Sequence, residues 1–138
     1  MITKKINCKL INLKYFDDKN STLIAIEKQV NCPFEIQRIF YIFDVPKNTI
    51  RGEHANLNSE FFFIVLKGDC KIKIDNGKEQ KNFILNNPKQ GLYIDKMLWK
   101  QMYDFSKDCI LLVLSNTLYD ANEYIRDYNE FLKAVDDT

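Results

Sequence analysis

His54 is the only histidine in 138 residues. Imidazole is the side chain whose ordinary pKa lets it take and return protons near neutrality, so acid–base chemistry in this chain starts with His54. It stands in Arg51-Gly52-Glu53-His54-Ala55-Asn56, two residues before an amide that can donate a hydrogen bond but cannot titrate. The chain has three arginines, Arg38, Arg51 and Arg126. Guanidinium forks suit phosphate groups, which makes Arg38, within a strand-like segment, and Arg51, between two, candidates for an anionic substrate. Arg126 lies in the C-terminal tail and reads more simply as an exposed ion-pair partner. Tyr93, Trp99 and Tyr103 could stack on a base or line a pocket, or be core aromatics. Lys100 either stands at a pocket mouth or faces water.

Other chemistries find less support. Cys8, Cys32, Cys70 and Cys109 are scattered without a Cys-x-x-Cys pair and read as reduced thiols packed as small hydrophobes. A transition-metal site built on one imidazole and one carboxylate would be weak and poorly selective, so neither metal nor cofactor is expected. Twenty basic residues against nineteen acidic ones leave no field for nucleic acid. No apolar run approaches a bilayer span, and residues 1–7 lack the apolar centre of an export signal. The expectation is a soluble cytoplasmic protein with no membrane partner.

The elements that must position these residues are mostly strands. With 46% hydrophobic and 13% aromatic residues the chain can bury a core, and its length suits one domain over 1–138. Strand-like segments run over 6–13, 22–28, 36–44, 59–67, 70–75, 81–85, 92–95, 100–105 and 108–116, with turn residues between them. Asn76-Gly77 marks a hairpin. Over 120–135, Tyr124, Ile125, Tyr128, Phe131, Leu132 and Val135 recur at helical spacing and predict an amphipathic helix. The fold class read from this is all-β: an antiparallel jelly-roll barrel with a short C-terminal helix.

From Arg38 onward the chain resembles the sugar 3,4-ketoisomerases, small cupins acting on dTDP-4-keto-6-deoxyglucose. The resemblance rests on Arg38-Ile39-Phe40-Tyr41-Ile42-Phe43-Asp44-Val45-Pro46, Arg51-Gly52-Glu53-His54-Ala55, Gly91-Leu92-Tyr93-Ile94, Trp99, Met102-Tyr103-Asp104-Phe105, Leu111 to Ser115, and Tyr119-Asp120 with Tyr124 to Tyr128. It implies a cupin homodimer that exchanges N-terminal strands and holds a dTDP-linked keto-deoxysugar in the barrel mouth. The implied reaction moves the keto group from C4 to C3 through an enediol, supplying 3-amino-3,6-dideoxy sugars for surface glycans such as lipopolysaccharide O-antigen.

The family's Arg-Gly-x-His-x-His run has its first histidine at His54 and Asn56 in place of its second. Phe61, Phe40, Asn20-Ser21 and Lys100 also replace residues usual in the family. The implied roles are His54 and Asn56 as catalytic base and assistant, with Arg38, Arg51, Tyr93, Trp99, Lys100 and Tyr103 holding substrate. Two other readings stay open: a binding or scaffold protein of the same fold, and an epimerase acting beside a ketone.

Overall fold

The computed structural model describes residues 5–136. Two five-stranded antiparallel sheets face each other. The first has the order β1 (Cys8–Asn12), β9 (Gln90–Ile94), β6 (Phe61–Lys67), β11 (Ile110–Ser115), β4 (Arg38–Phe43). The second runs β12 (Tyr124–Ile125), β5 (Arg51–Asn56), β10 (Trp99–Tyr103), β7 (Cys70–Asp75), β8 (Gln80–Leu85). A small hairpin, β2 (Phe16–Asp18) with β3 (Ser21–Leu23), stands apart from both. This is the expected jelly roll.

Period-two alternation builds its core. Along β6, Phe61, Phe63 and Val65 point between the sheets and join Ile72, Ile74, Leu92, Ile94, Leu111 and Val113. Phe62 and Ile64, on the other face, are equally buried because the segment before β4 folds across them with Ile24, Ile26, Cys32, Phe34 and Ile36. Coverage on both faces is why 61–65 reads as an unbroken apolar run. The predicted strand 22–28 is a strand only to Leu23; beyond it the backbone trades pairing for this packing role. Gly91 shows how tight that layer is, since an added Cβ would lie 2.2 Å from Cζ of the fully buried Phe62. Gly91→Ala should therefore cost about 2 kcal/mol or more in overpacking, read as a lower thermal midpoint.

The turn at Asn76 is longer than the two-residue hairpin the sequence suggests. Residues 76–79 form the loop, and the Asn76 side chain accepts from the amides of Lys78 and Glu79. The C-terminal tail departs more. In place of one helix over 120–135 there is a 3-10 turn at Ala121–Glu123, then β12, then α1 (Tyr128–Asp136). Tyr124 and Ile125 pair with Asn56 and Ala55 on β5, and Asp127 caps α1 by accepting from the Glu130 amide. The four-residue spacing of Tyr124 and Tyr128 imitates a helical stripe although the two lie on different elements. Helix α1 then seats the fully buried Phe131 on the outer face of the second sheet against Trp99 and Ala55.

Candidate active site

Strand β5 carries His54, and its backbone is irregular for a reason. In the pairing of β5 with β10, Lys100 lies opposite His54 but Gln101 lies opposite Gly52, so Glu53 is an extra residue with no partner. Glu53 and Gly52 both take positive φ, 57° and 87°, as a β-bulge demands. Glycine is required at 52 also by space, since a Cβ there would come within 2.9 Å of the Lys100 carbonyl oxygen and the Met102 sulfur. The bulge has a chemical consequence. Arg51 and His54 are three apart, which would put them on opposite faces of a regular strand. With one residue bulged out, Arg51 faces Met102 and His54 faces Lys100, all four toward the barrel interior.

There they line a cavity of about 350 Å³. Its apolar wall is Phe40, Ile42, Phe61 and Phe63, and its polar side carries Arg51, His54, Lys100, Arg126, Tyr119 and Tyr124. The tail supplies the rim. The Tyr124 ring lies 4.8 Å from the His54 ring, and the Arg126 guanidinium stacks 4.6 Å above Tyr124. Arg38, at the start of edge strand β4, sits 5.3 Å from the Phe40 ring and 5.7 Å from that of Tyr119. Its Nε and Nη2 are buried without a hydrogen-bond partner. Cations line this cavity and no carboxylate does, among the described residues. It is built for an anion with an apolar body.

The two central groups are strongly perturbed. Burial, followed by the positive charges of Lys100, Arg126 and Arg38, pushes His54 down to about 3. Its Nδ1 is buried without a partner. Neutral imidazole is thus the form present throughout the ordinary pH range. Lys100 is 2% exposed, and burial lowers its ammonium to about 7 against the opposing charge of Glu123. Its Nζ donates 3.0 Å to Oδ1 of Asn56 and lies 4.7 Å from the Phe61 ring.

The sequence-based expectations divide here. His54, Arg51 and Lys100 meet in the cavity, with Arg38 beside it. Lys100 neither marks the mouth nor faces water: it is buried in the barrel wall. Asn56 shares the inner face, but both ends of its amide are taken. Oδ1 accepts from Lys100 and Nδ2 donates 2.5 Å to Glu123, and Asn56 is fully buried and is not one of the residues lining the cavity. Trp99 lies outside the cavity, under α1 against Tyr128 and Phe131. Tyr93 is on the outer face of the first sheet, where its hydroxyl donates to Glu60. Tyr103 follows Trp99 and Gln101 in facing outward on β10 and does not line the cavity. Tyr119, Tyr124 and Arg126 do line it; Tyr124 and Arg126 fall in the segment 120–135 that reads as a helix with an exposed arginine, and Tyr119 immediately precedes it. Only the motif Tyr119-Asp120 with Tyr124-Ile125-Arg126 marked them.

Residues 6–136 match the family described as FdtA: WxcM-like, C-terminal. The chain belongs to this FdtA/WxcM-like family. A relative, the TDP-4-oxo-6-deoxy-alpha-D-glucose-3,4-oxoisomerase of Aneurinibacillus thermoaerophilus, is 39% identical over 127 residues, covering 92% of this chain and 91% of its own. Among solved structures, WlaRA, a TDP-fucose-3,4-ketoisomerase from Campylobacter jejuni, superposes with a TM-score of 0.91 at 60% identity, over 94% of this chain and 96% of that one. WlaRB, a TDP-quinovose 3,4-ketoisomerase from the same organism, gives 0.88 at 46% identity, over 92% and 98%.

Proposed function

We propose that this chain is a TDP-sugar 3,4-ketoisomerase that moves the keto group of TDP-4-keto-6-deoxyglucose from C4 to C3. The observation that carries it is a single imidazole set among cations in a barrel cavity, in a chain matching this isomerase family over 6–136. The C3 hydrogen is acidic because it adjoins the C4 ketone. His54 removes it, the electron pair forms the C3–C4 double bond, and the ketone's π pair moves to O4. Loss of the O3 proton rebuilds a carbonyl at C3 while the new imidazolium returns its proton to C4. Arg51 and Arg126, with Arg38, whose Nε and Nη2 have no hydrogen-bond partner, suit the pyrophosphate, and the wall of Phe40, Ile42 and Phe61 suits the deoxy carbon.

A lone base fixes the stereochemistry. In the gluco substrate the C3 hydrogen leaves from the face on which protonation at C4 creates an axial hydroxyl. The product is therefore the galacto isomer, the configuration of fucose, named in the 60% identical relative and not in the 46% identical one. A 3-ketone is the substrate form an aminotransferase needs, which places the enzyme before 3-amino-3,6-dideoxy sugars of surface glycans such as lipopolysaccharide O-antigen. The working unit is a cytoplasmic homodimer with exchanged N-terminal strands. Supporting a second copy, the edge strand β4 exposes Ile39, Tyr41 and Phe43 at 61%, 63% and 55%. Among the described residues no helix is long and apolar enough to cross a membrane.

The test is incubation with TDP-4-keto-6-deoxyglucose in D₂O, followed by NMR. Appearance of the 3-keto isomer supports the proposal. Tight TDP binding with neither isomer nor exchange would leave a binding protein in its place.

A further inference from the structure

The carbon shuttle leaves half of the reaction unserved. While one proton moves from C3 to C4, another must reach O4 and one must leave O3. His54 cannot do both at once, and Asn56, fully buried and bonded to Lys100 and Glu123, does not line the cavity. Among the described residues that line the cavity, Lys100 is the register partner of His54, directly opposite it on β10. Lys100 is held from behind by a chain of buried polar groups. Asn56, fully buried, accepts from Lys100 and donates to Glu123, which is 4% exposed. The Glu123 carboxylate also accepts from the Ser59 hydroxyl and the Asn58 amide. A carboxylate so enclosed, joined to a buried ammonium through one amide, is a costly arrangement to keep for packing alone.

We propose that Lys100 is the second catalytic residue, shuttling protons between the sugar oxygens while His54 shuttles them between the carbons, with Asn56 and Glu123 as positioning residues. This rests on the keto-shift reading above. The ammonium of Lys100 donates its proton to O4 as the ketone's π pair moves there, giving a neutral enediol. The free amine then takes the O3 proton, whose bonding pair becomes the C3 carbonyl, and the ammonium is restored. Each shuttle ends in the state in which it began, and no other reactant is consumed. A group that is first acid and then base works best when its pKa lies near ambient pH, the range to which burial brings Lys100.

The groups around Lys100 set the sign of its pH response. His54 faces it from β5, Glu123 reaches it through Asn56, and Phe61 brings an uncharged ring from β6. Ile74 lies opposite on β7 and brings no charge. Arg51, Arg126, Tyr119 and Tyr124 share the cavity, and Arg38 stands beside it. Only Glu123 raises the lysine's proton affinity, so removing its charge lowers that affinity.

The experiment measures kcat against pH, together with TDP affinity, for the wild type, Lys100→Met and Glu123→Gln. Lys100→Met keeps the length of the side chain and stays apolar in a buried place, and unchanged TDP affinity certifies its fold. We expect its kcat to fall about 100-fold or more, with the alkaline limb near pH 7 gone. Glu123→Gln should keep that limb but move it to lower pH, a shift that a merely structural glutamate would not produce. Lys100→Met within about threefold of wild type, or Glu123→Gln that loses rate with its limb unmoved, overturns the assignment. A wild type that forms no isomer overturns the keto-shift reading itself, and the assignment with it. A wild type that isomerises beside an equally active Lys100→Met overturns the assignment alone.

Discussion

His54→Asn should lower isomerisation by two to four orders of magnitude, on the order of what a positioned base contributes, while TDP binding stays near the wild-type value. The substitution retains a polar planar group but cannot take a proton from carbon. Since His54 is the chain's sole imidazole, no neighbour of the same kind can take over. On the proposed reading binding should survive, because Arg51, Arg126 and Arg38 would carry the anion contacts. Solvent exchange at C3 should vanish together with product, since both need the same abstraction. Full exchange with product lost would mean that a different base acts at C3.

The second large effect concerns the proton affinity of His54. Its imidazole resonances can be followed by NMR without assignment, because the chain has one histidine. In the free protein they should stay in the neutral position from about pH 8 down to about 4, where an ordinary histidine titrates near 6.5. Burial is the largest cause of the depression, and Lys100, Arg126 and Arg38 add to it. These cations are the ones that a pyrophosphate would neutralise. Saturating TDP should therefore raise the midpoint by about one unit or more. On the proposed mechanism the base would then strengthen only when substrate arrives. The same depression sets a stability trend. Below pH 6.5 the unfolded chain takes a proton that the folded one refuses, so this contribution is whole above 6.5 and is lost as pH falls toward 3. A free-protein midpoint near 6.5 would contradict the buried, cation-flanked position of His54 described above.

Much of the barrel was legible because two-sided burial writes itself into composition. The run Phe61 to Val65 and the alternation of Cys70 to Asp75 gave β6 and β7 directly. Strand β5 was not legible by pattern, since its bulge at Glu53 breaks the period of two and its inner face is polar. Only the motif around His54 disclosed it. The tail misled for the opposite reason: Tyr124 and Ile125 match a helical stripe by accident of spacing, yet they pair with β5 and bring Arg126 to the cavity. Trp99 and Tyr93 were sound aromatic candidates by type, but a strand in a sandwich has two apolar faces here, and sequence alone does not say which face holds ligand. Asn56 was read as a hydrogen-bonding assistant to His54. In the structure its amide links Glu123 to Lys100, a contact across 67 residues that no local pattern encodes.

The most direct test of a single carbon shuttle is isotopic. TDP-4-keto-6-deoxyglucose deuterated at C3 is turned over in ordinary water under single-turnover conditions, and the product is read by NMR. If His54 carries the proton on one face, some of the deuterium appears at C4 of the 3-keto product, and the C4 hydroxyl is axial. A product with an equatorial C4 hydroxyl and no deuterium at C4 would require a second acid on the opposite face, and the one-base mechanism would fall.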